Sequence, residues 1–169
     1  MPDILSRLRF QKFDRLQSLD LSGHKGLRYD FLASIAGLEE LTLADAGLHD
    51  AGLARLPKLP TLKRLVLDGN EIRGADLTRL RDWPALEELS LGCPTLTDLF
   101  AKNLGELKQV KRLSLAGSHL TDAGIKHLER LTQLDSLDLR KTSITAAGIA
   151  RLQKALPKCR IDWDGRKQQ

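Results

Sequence analysis

Five segments of this sequence, LEELTL, LKRLVL, LEELSL, VKRLSL and LDSLDL, open at Leu38, Leu62, Leu86, Val110 and Leu134, always 24 residues apart. A further copy, LQSLDL, opens 22 residues earlier at Leu16, and a degenerate LPKCRI opens 22 residues later at Leu156. A weaker LSRLRF starts at Leu5. Self-similarity at this period restricts the chain to a repeat architecture. No unit of this length buries its own apolar face, so each must stack on its neighbours.

In LxxLxL the last two leucines lie two apart and share one face of a strand, while the residue between them points the other way. The strands cannot pair within a repeat, since about 18 residues separate one from the next. Parallel stacking with an intervening crossover is the remaining arrangement. The crossover reads as helix. Ile125, Leu128 and Leu131 recur every three residues, as do Leu53, Leu56 and Leu59, then Leu77, Leu80 and Trp83, then Ala101, Leu104 and Leu107. Such a stripe predicts two to three turns with one buried side.

Asp50, Asp98 and Asp122 each precede a stripe by three residues, where a side-chain oxygen is expected to cap the helix amides. The phrase Thr121-Asp122-Ala123-Gly124-Ile125 returns as Thr145-Ala146-Ala147-Gly148-Ile149. Its glycine costs about 1 kcal/mol of helix propensity, which predicts close approach of each helix to its neighbour. A phosphate cradle at the helix start is the rival reading, disfavoured because the motif recurs and lacks a glycine-rich loop.

LxxLxL, then an aliphatic residue five positions on (Leu48, Ile72, Leu96, Leu120, Ile144), then a helix, resembles a leucine-rich repeat over residues 16–163. SHLTDAGI, from Ser118, most resembles bacterial repeats related to the ribonuclease-inhibitor and cysteine-containing subclasses. The turn position that usually carries asparagine holds His24, Ala46, Asn70, Pro94, Ser118 and Thr142, so only Asn70 keeps the pattern. The resemblance implies an α/β leucine-rich-repeat solenoid with a parallel β-sheet on its concave side and helices on its convex side. One domain over 1–169 is expected, with an N-terminal cap in 1–15. About six repeats of 22–24 residues in 16–155 would follow, then a C-terminal cap and tail in 156–169.

The resemblance also implies a non-catalytic module that binds a protein through its concave sheet. The alternative is a substrate-recognition or targeting domain of a larger effector or ligase. Outward strand positions define the candidate partner-binding face: Ser18 and Asp20, Glu40 and Thr42, Arg64 and Val66, Glu88 and Ser90, Arg112 and Ser114, Ser136 and Asp138. Two of its columns alternate in sign, Glu40-Arg64-Glu88-Arg112 and Glu39-Lys63-Glu87-Lys111-Asp135. At a strand spacing of about 4.8 Å these charges are expected to satisfy one another, each pair contributing ~0.2–1 kcal/mol.

Catalysis finds little support. The four histidines, His24, His49, His119 and His127, fall at different repeat positions. Cys93 and His119 share adjacent loops, which raises a thiol–imidazole nucleophile, but no third orienting residue stands by and Pro94 follows the cysteine. Cys93 reads instead as a buried turn residue, and Cys159 takes the place of a strand leucine. No HxxxH or CxxC pair predicts a metal site, and no cofactor is expected.

Aromatics make up 4% of the chain, too few for the stacking platforms of a single-stranded nucleic-acid binder, so nucleic acid is disfavoured as a partner. The net charge of +5 gathers partly at the ends, with Arg7, Arg9, Lys12 and Arg15 in front and Arg166 and Lys167 behind. That excess reads as solubility, the rival being a footprint for an anionic partner. Phe10 and Phe13 at one end and Trp163 at the other are expected to cover the open core, with partner contact as the alternative. Trp83 fills a stripe position and reads as core. Tyr29 and Phe31 fall in the shortened first repeat, where a bulge is expected to expose one of them. "MPDILSRLRF" interrupts any apolar leader with Asp3 and two arginines, and no run reaches the ~20 apolar residues of a membrane span. No membrane association and a cytoplasmic location are therefore expected, although an excised domain would also lack its parent's leader.

Overall fold

The computed structural model describes residues 15–165. Seven three-residue strands form one parallel sheet in chain order: β1 (Ser18–Asp20), β2 (Glu40–Thr42), β3 (Arg64–Val66), β4 (Glu88–Ser90), β5 (Arg112–Ser114), β6 (Ser136–Asp138) and β7 (Arg160–Asp162). The register is that of the repeat. Leu19 pairs with Leu41, then Leu65, Leu89, Leu113, Leu137 and finally Ile161. Leu41, Leu65, Leu89 and Leu137 have no solvent exposure, and neither do Leu43, Leu67, Leu91 and Leu115 in the next column. Stacked leucines of adjacent repeats are the core, and only the end rungs, Leu19 and Ile161, are half-buried.

The crossovers are shorter than the apolar stripe predicts. α1 (Asp50–Ala54), α2 (Asp98–Leu104) and α3 (Ile125–Leu128) run one to two turns, and only α4 (Ala146–Ala155) is longer. Asp30–Ser34 and Leu77–Asp82 are 3-10 turns. A stripe recurring every three residues suits three residues per turn as well as it suits an α-helix. The repeats with 3-10 crossovers also lack the Thr-Asp-Ala-Gly start, having Leu27-Arg28 and Gly74-Ala75-Asp76 instead.

The aspartates do not cap their own helices. α1 and α2 have no side-chain cap. Asp98 instead accepts from the Thr121 amide at 3.0 Å and its hydroxyl at 2.6 Å, one repeat on. Asp122 does the same to Thr145, at 2.9 Å and 2.6 Å. Asp50 accepts from the Gly74 amide at 2.9 Å and the Ala75 amide at 3.2 Å. Stacking brings each carboxylate closer to the next loop's amides than to its own helix, and charge-assisted bonds to amides favour that partner. The threonine takes over as cap, Thr145 Oγ1 accepting from the Gly148 amide at 3.2 Å.

The repeated glycine answers to this clamp. A Cβ on Gly124 would come within 2.5 Å of Asp98 Oδ1, and one on Gly148 would collide with Asp122 Oδ1 and Ile125 Cδ1. The helix start thus joins adjacent repeats as well as beginning a helix.

Buried polar side chains close the turns. The Asn70 carbonyl oxygen accepts from the Leu48 amide at 2.9 Å, while its Nδ2 donates to Leu43 and Leu67 carbonyls at 2.7 and 2.8 Å. Ser118 and Thr142 hydroxyls each donate to a carbonyl three residues back, Leu115 and Leu139, at 2.7 Å. At these two turns a hydroxyl replaces asparagine by satisfying the intra-turn carbonyl.

Candidate functional site

Pairing aligns the outward residues into the expected columns. Glu40 faces Arg64, which faces Glu88, then Arg112, Ser136 and Arg160. Thr42, Val66, Ser90, Ser114, Asp138 and Asp162 form the column beside it. The chemistry follows from the alternation. Glu88 accepts from Arg64 Nε at 2.7 Å on one side and from Arg112 Nε at 2.9 Å on the other. In the next column Lys63 binds Glu39 at 2.8 Å and Lys111 binds Glu87 at 2.7 Å. The Lys111 ammonium holds the Glu87 carboxyl below its ordinary pKa. Glu40 is served by the Ser18 hydroxyl at 3.3 Å.

Between these charges lies a shallow concavity of about 290 Å³ across β3 to β6. Val66, Ser90 and Ser114 form its floor, with Arg64, Glu88 and Arg112 on one flank and Asp68 and Asp138 on the other. Asp68 and Arg140 were not among the sequence candidates, although each lies two residues beyond an outward strand position and so shares that face. Asp68 accepts from the Ser90 hydroxyl at 2.7 Å and the Gly92 amide at 2.6 Å. Arg140 binds Asp138 at 2.6 Å and holds its carboxyl below the usual carboxylate pKa.

The thiol–imidazole arrangement does not form. Cys93 is fully buried and its thiol lies 3.2 Å from the Leu67 carbonyl, to which it donates. Burial pushes its pKa up to about 11, so it holds its proton at neutral pH. His119 is exposed. Cys159 is half-buried at the sheet's last rung, and Trp163 packs half-buried against the core beside it. Trp83 is core. Tyr29 is buried and Phe31 half-buried, so the first repeat does not display a free aromatic ring. Tyr29 lines a second cavity, of about 570 Å³, between the first two repeats. Phe10, Phe13, the LSRLRF segment and the terminal charges Arg7, Arg9, Lys12, Arg166 and Lys167 lie outside the described residues.

Among the described residues no helix is long and apolar enough to cross a membrane. No family model and no curated protein matches the chain. Solved structures do. A leucine-rich-repeat protein of Leptospira interrogans is 28% identical, with a TM-score of 0.55, over 78% of this chain and 32% of that one. An internalin (inlF) of Listeria monocytogenes is 24% identical, with a TM-score of 0.60, over 92% of this chain and 49% of that one. Internalin C2 of the same species is 17% identical, with a TM-score of 0.58, over 90% and 75%. This chain thus spans about a third and a half of the first two. Seven in-register parallel strands, helical crossovers and these bacterial neighbours together make the fold an α/β leucine-rich-repeat solenoid, with the sheet on its concave side.

Proposed function

We propose that the chain is a non-catalytic interaction module that binds a protein partner through the concave sheet. The observation that carries this reading is the concavity across β3 to β6. A floor of small side chains, Val66, Ser90 and Ser114, is rimmed by guanidinium and carboxylate groups already held in place. Pre-positioned polar groups around an accessible floor lower the ordering cost of association. Similarity to a leucine-rich-repeat protein and to internalins supports an interaction role. The protonated, buried Cys93 supports the non-catalytic half of the reading. The binding residues we propose are Glu40, Thr42, Arg64, Val66, Glu88, Ser90, Arg112, Ser114, Ser136 and Asp138. A cytoplasmic location belongs to the same proposal, supported by two free thiols, Cys93 and Cys159.

The test is affinity capture from the native cell extract, wild type against Arg64→Glu plus Arg112→Glu. These two side chains flank Glu88 and face solvent, so reversing them changes the surface and leaves the leucine core in place. A specific protein captured by wild type and lost by the variant is the expected result. Equal capture by both would move the interface off this face.

A further inference from the structure

We propose that the cavity between the first and second repeats binds a carboxylate group brought by a ligand, in the place that aspartates of the chain fill at other junctions. The cavity of about 570 Å³ falls in the size range of small-molecule sites. It exists because the first repeat is short. Between Leu48 and Leu53 stands the helix start His49-Asp50-Ala51-Gly52, whereas between Leu27 and Tyr29 only Arg28 remains. The first repeat therefore has no counterpart of Asp50. Asp98 holds Thr121 and Asp122 holds Thr145 through amide and hydroxyl, and Asp50 holds the amides of Gly74 and Ala75. His49 stands in the place of Thr121 and Thr145, and among the described residues no carboxylate reaches its amide. A carboxylate position is thus built by the repeat and left open at this junction. Gly74 leaves it open at the Thr97 junction too, but among the described residues only the first junction adds a buried side-chain hydroxyl without a partner.

A second observation points to a ligand. In the 24-residue register Tyr29 takes the place of Leu53, Leu77, Ala101, Ile125 and Ile149. It alone in that column carries a polar atom into the layer. The residue is only 8% exposed, and its hydroxyl is buried with no hydrogen-bond partner. A buried hydroxyl without a partner is costly, and Tyr29 lines the cavity. Phenylalanine would fill the same volume without that cost, so the hydroxyl calls for an acceptor. The rim sets its sign. Arg28 and Arg55 line the cavity beside His49, and the single acid there, Asp30, is paired with Arg28 at 3.2 Å. Arg55 has no ion-pair partner among the described residues. Arg55, beside the Arg28–Asp30 pair, leaves one net positive charge on the rim, which with the unsatisfied phenol donor favours an anion. The aspartate position that the repeat leaves vacant makes that anion a carboxylate.

The source of the carboxylate, a free small molecule or an acidic protein segment, is decided by two probes. The full-length ¹⁵N-labelled chain is titrated with sodium succinate and, separately, with the peptide acetyl-Asp-Glu-Asp-Glu-amide, at constant ionic strength. Succinamide is the neutral control. Saturable amide shifts confined to residues 26–30 and 46–55 are expected with at least one carboxylate probe and none with succinamide. Saturation by succinate assigns a small carboxylate, and saturation by the peptide alone assigns an acidic segment. Arg55→Gln should weaken binding about ten-fold and Tyr29→Phe about three-fold or more, consistent with losing a charged and a neutral hydrogen bond. Arg112→Gln, on the concave face, should leave it unchanged, which separates this site from the proposed partner surface. Tyr29→Phe should melt no lower than wild type, so folding does not obscure the result. Failure of both probes to saturate these amides overturns the proposal, as does affinity undiminished in both Arg55→Gln and Tyr29→Phe.

Discussion

The Asp122 carboxylate holds Thr145 at two points, its amide at 2.9 Å and its hydroxyl at 2.6 Å, across the boundary between adjacent repeats. Thr145 Oγ1 in turn accepts from the Gly148 amide, so one carboxylate both ties two repeats and orders the start of α4. Asp122→Ala removes an ionised acceptor and leaves two donors without it. A cost of about 1.5–3 kcal/mol is expected, against about 1 kcal/mol for an ordinary lost helix cap. Gly148→Ala should destabilise too, because its methyl meets Asp122 and Ile125. Denaturant melts of both variants check the clamp, and a loss under 0.5 kcal/mol from Asp122→Ala, on the scale of a surface change, would show that it contributes little.

Leu89 and Glu88 are chain neighbours on opposite faces of β4. Leu89 lies in the middle of the stacked column with no exposure, so Leu89→Ala should cost roughly 2–5 kcal/mol. Glu88→Ala breaks two half-exposed ion pairs, with Arg64 and Arg112, and should cost under about 1 kcal/mol. Equal losses in denaturant melts would contradict the inside–outside register.

That register was legible in the amino-acid order because strand faces repeat every two residues and the repeat every 24, so no long-range information is needed to place Leu89 or Glu88. The same holds for the alternating Glu40-Arg64-Glu88-Arg112 column, whose neighbours are set by the period. What escaped is contact across repeats. Asp50, Asp98 and Asp122 read as caps because capping is local along the chain, whereas their partners stand 23–25 residues away. Tyr29 read as a surface candidate because the shortened repeat hides its place in the Leu53 column. Every-third-residue stripes do not distinguish a 3-10 turn from an α-helix, and Leu77–Asp82 fell on the other side of that ambiguity.

The buried thiol of Cys93 gives a pH dependence. Its pKa rises to about 11 from an unperturbed 9.0. A group raised on folding contributes its full stability below the unfolded value and loses it as pH climbs through the folded one. Between about pH 9 and 11 the unfolded chain releases this proton while the native chain retains it, so stability should fall across that window, on the order of 2–3 kcal/mol. Cys93→Ala removes the titrating group, and its stability curve should be flatter over the same interval. An unchanged slope in urea melts at stepped pH would assign the alkaline loss to other groups.

We propose that β7 and the residues around it cap the β6 rung, and their removal tests that assignment. Leu156 is buried, and Cys159, Ile161 and Trp163 pack half-buried against the core. Ile161 pairs with Leu137, and the Leu139 amide donates to the Asp162 carbonyl at 2.8 Å. Truncation after Leu152 strips this rung away. Leu137 and Leu139 would then face water on one side, and β6 would present unpaired backbone groups along a newly opened edge. Exposed apolar surface beside an unpaired strand edge favours pairing between molecules. The truncated chain should melt at a lower temperature and sediment as associated species at concentrations where wild type does not. A monomer with an unchanged melting point would remove the cap assignment and leave Trp163 as a residue for partner contact.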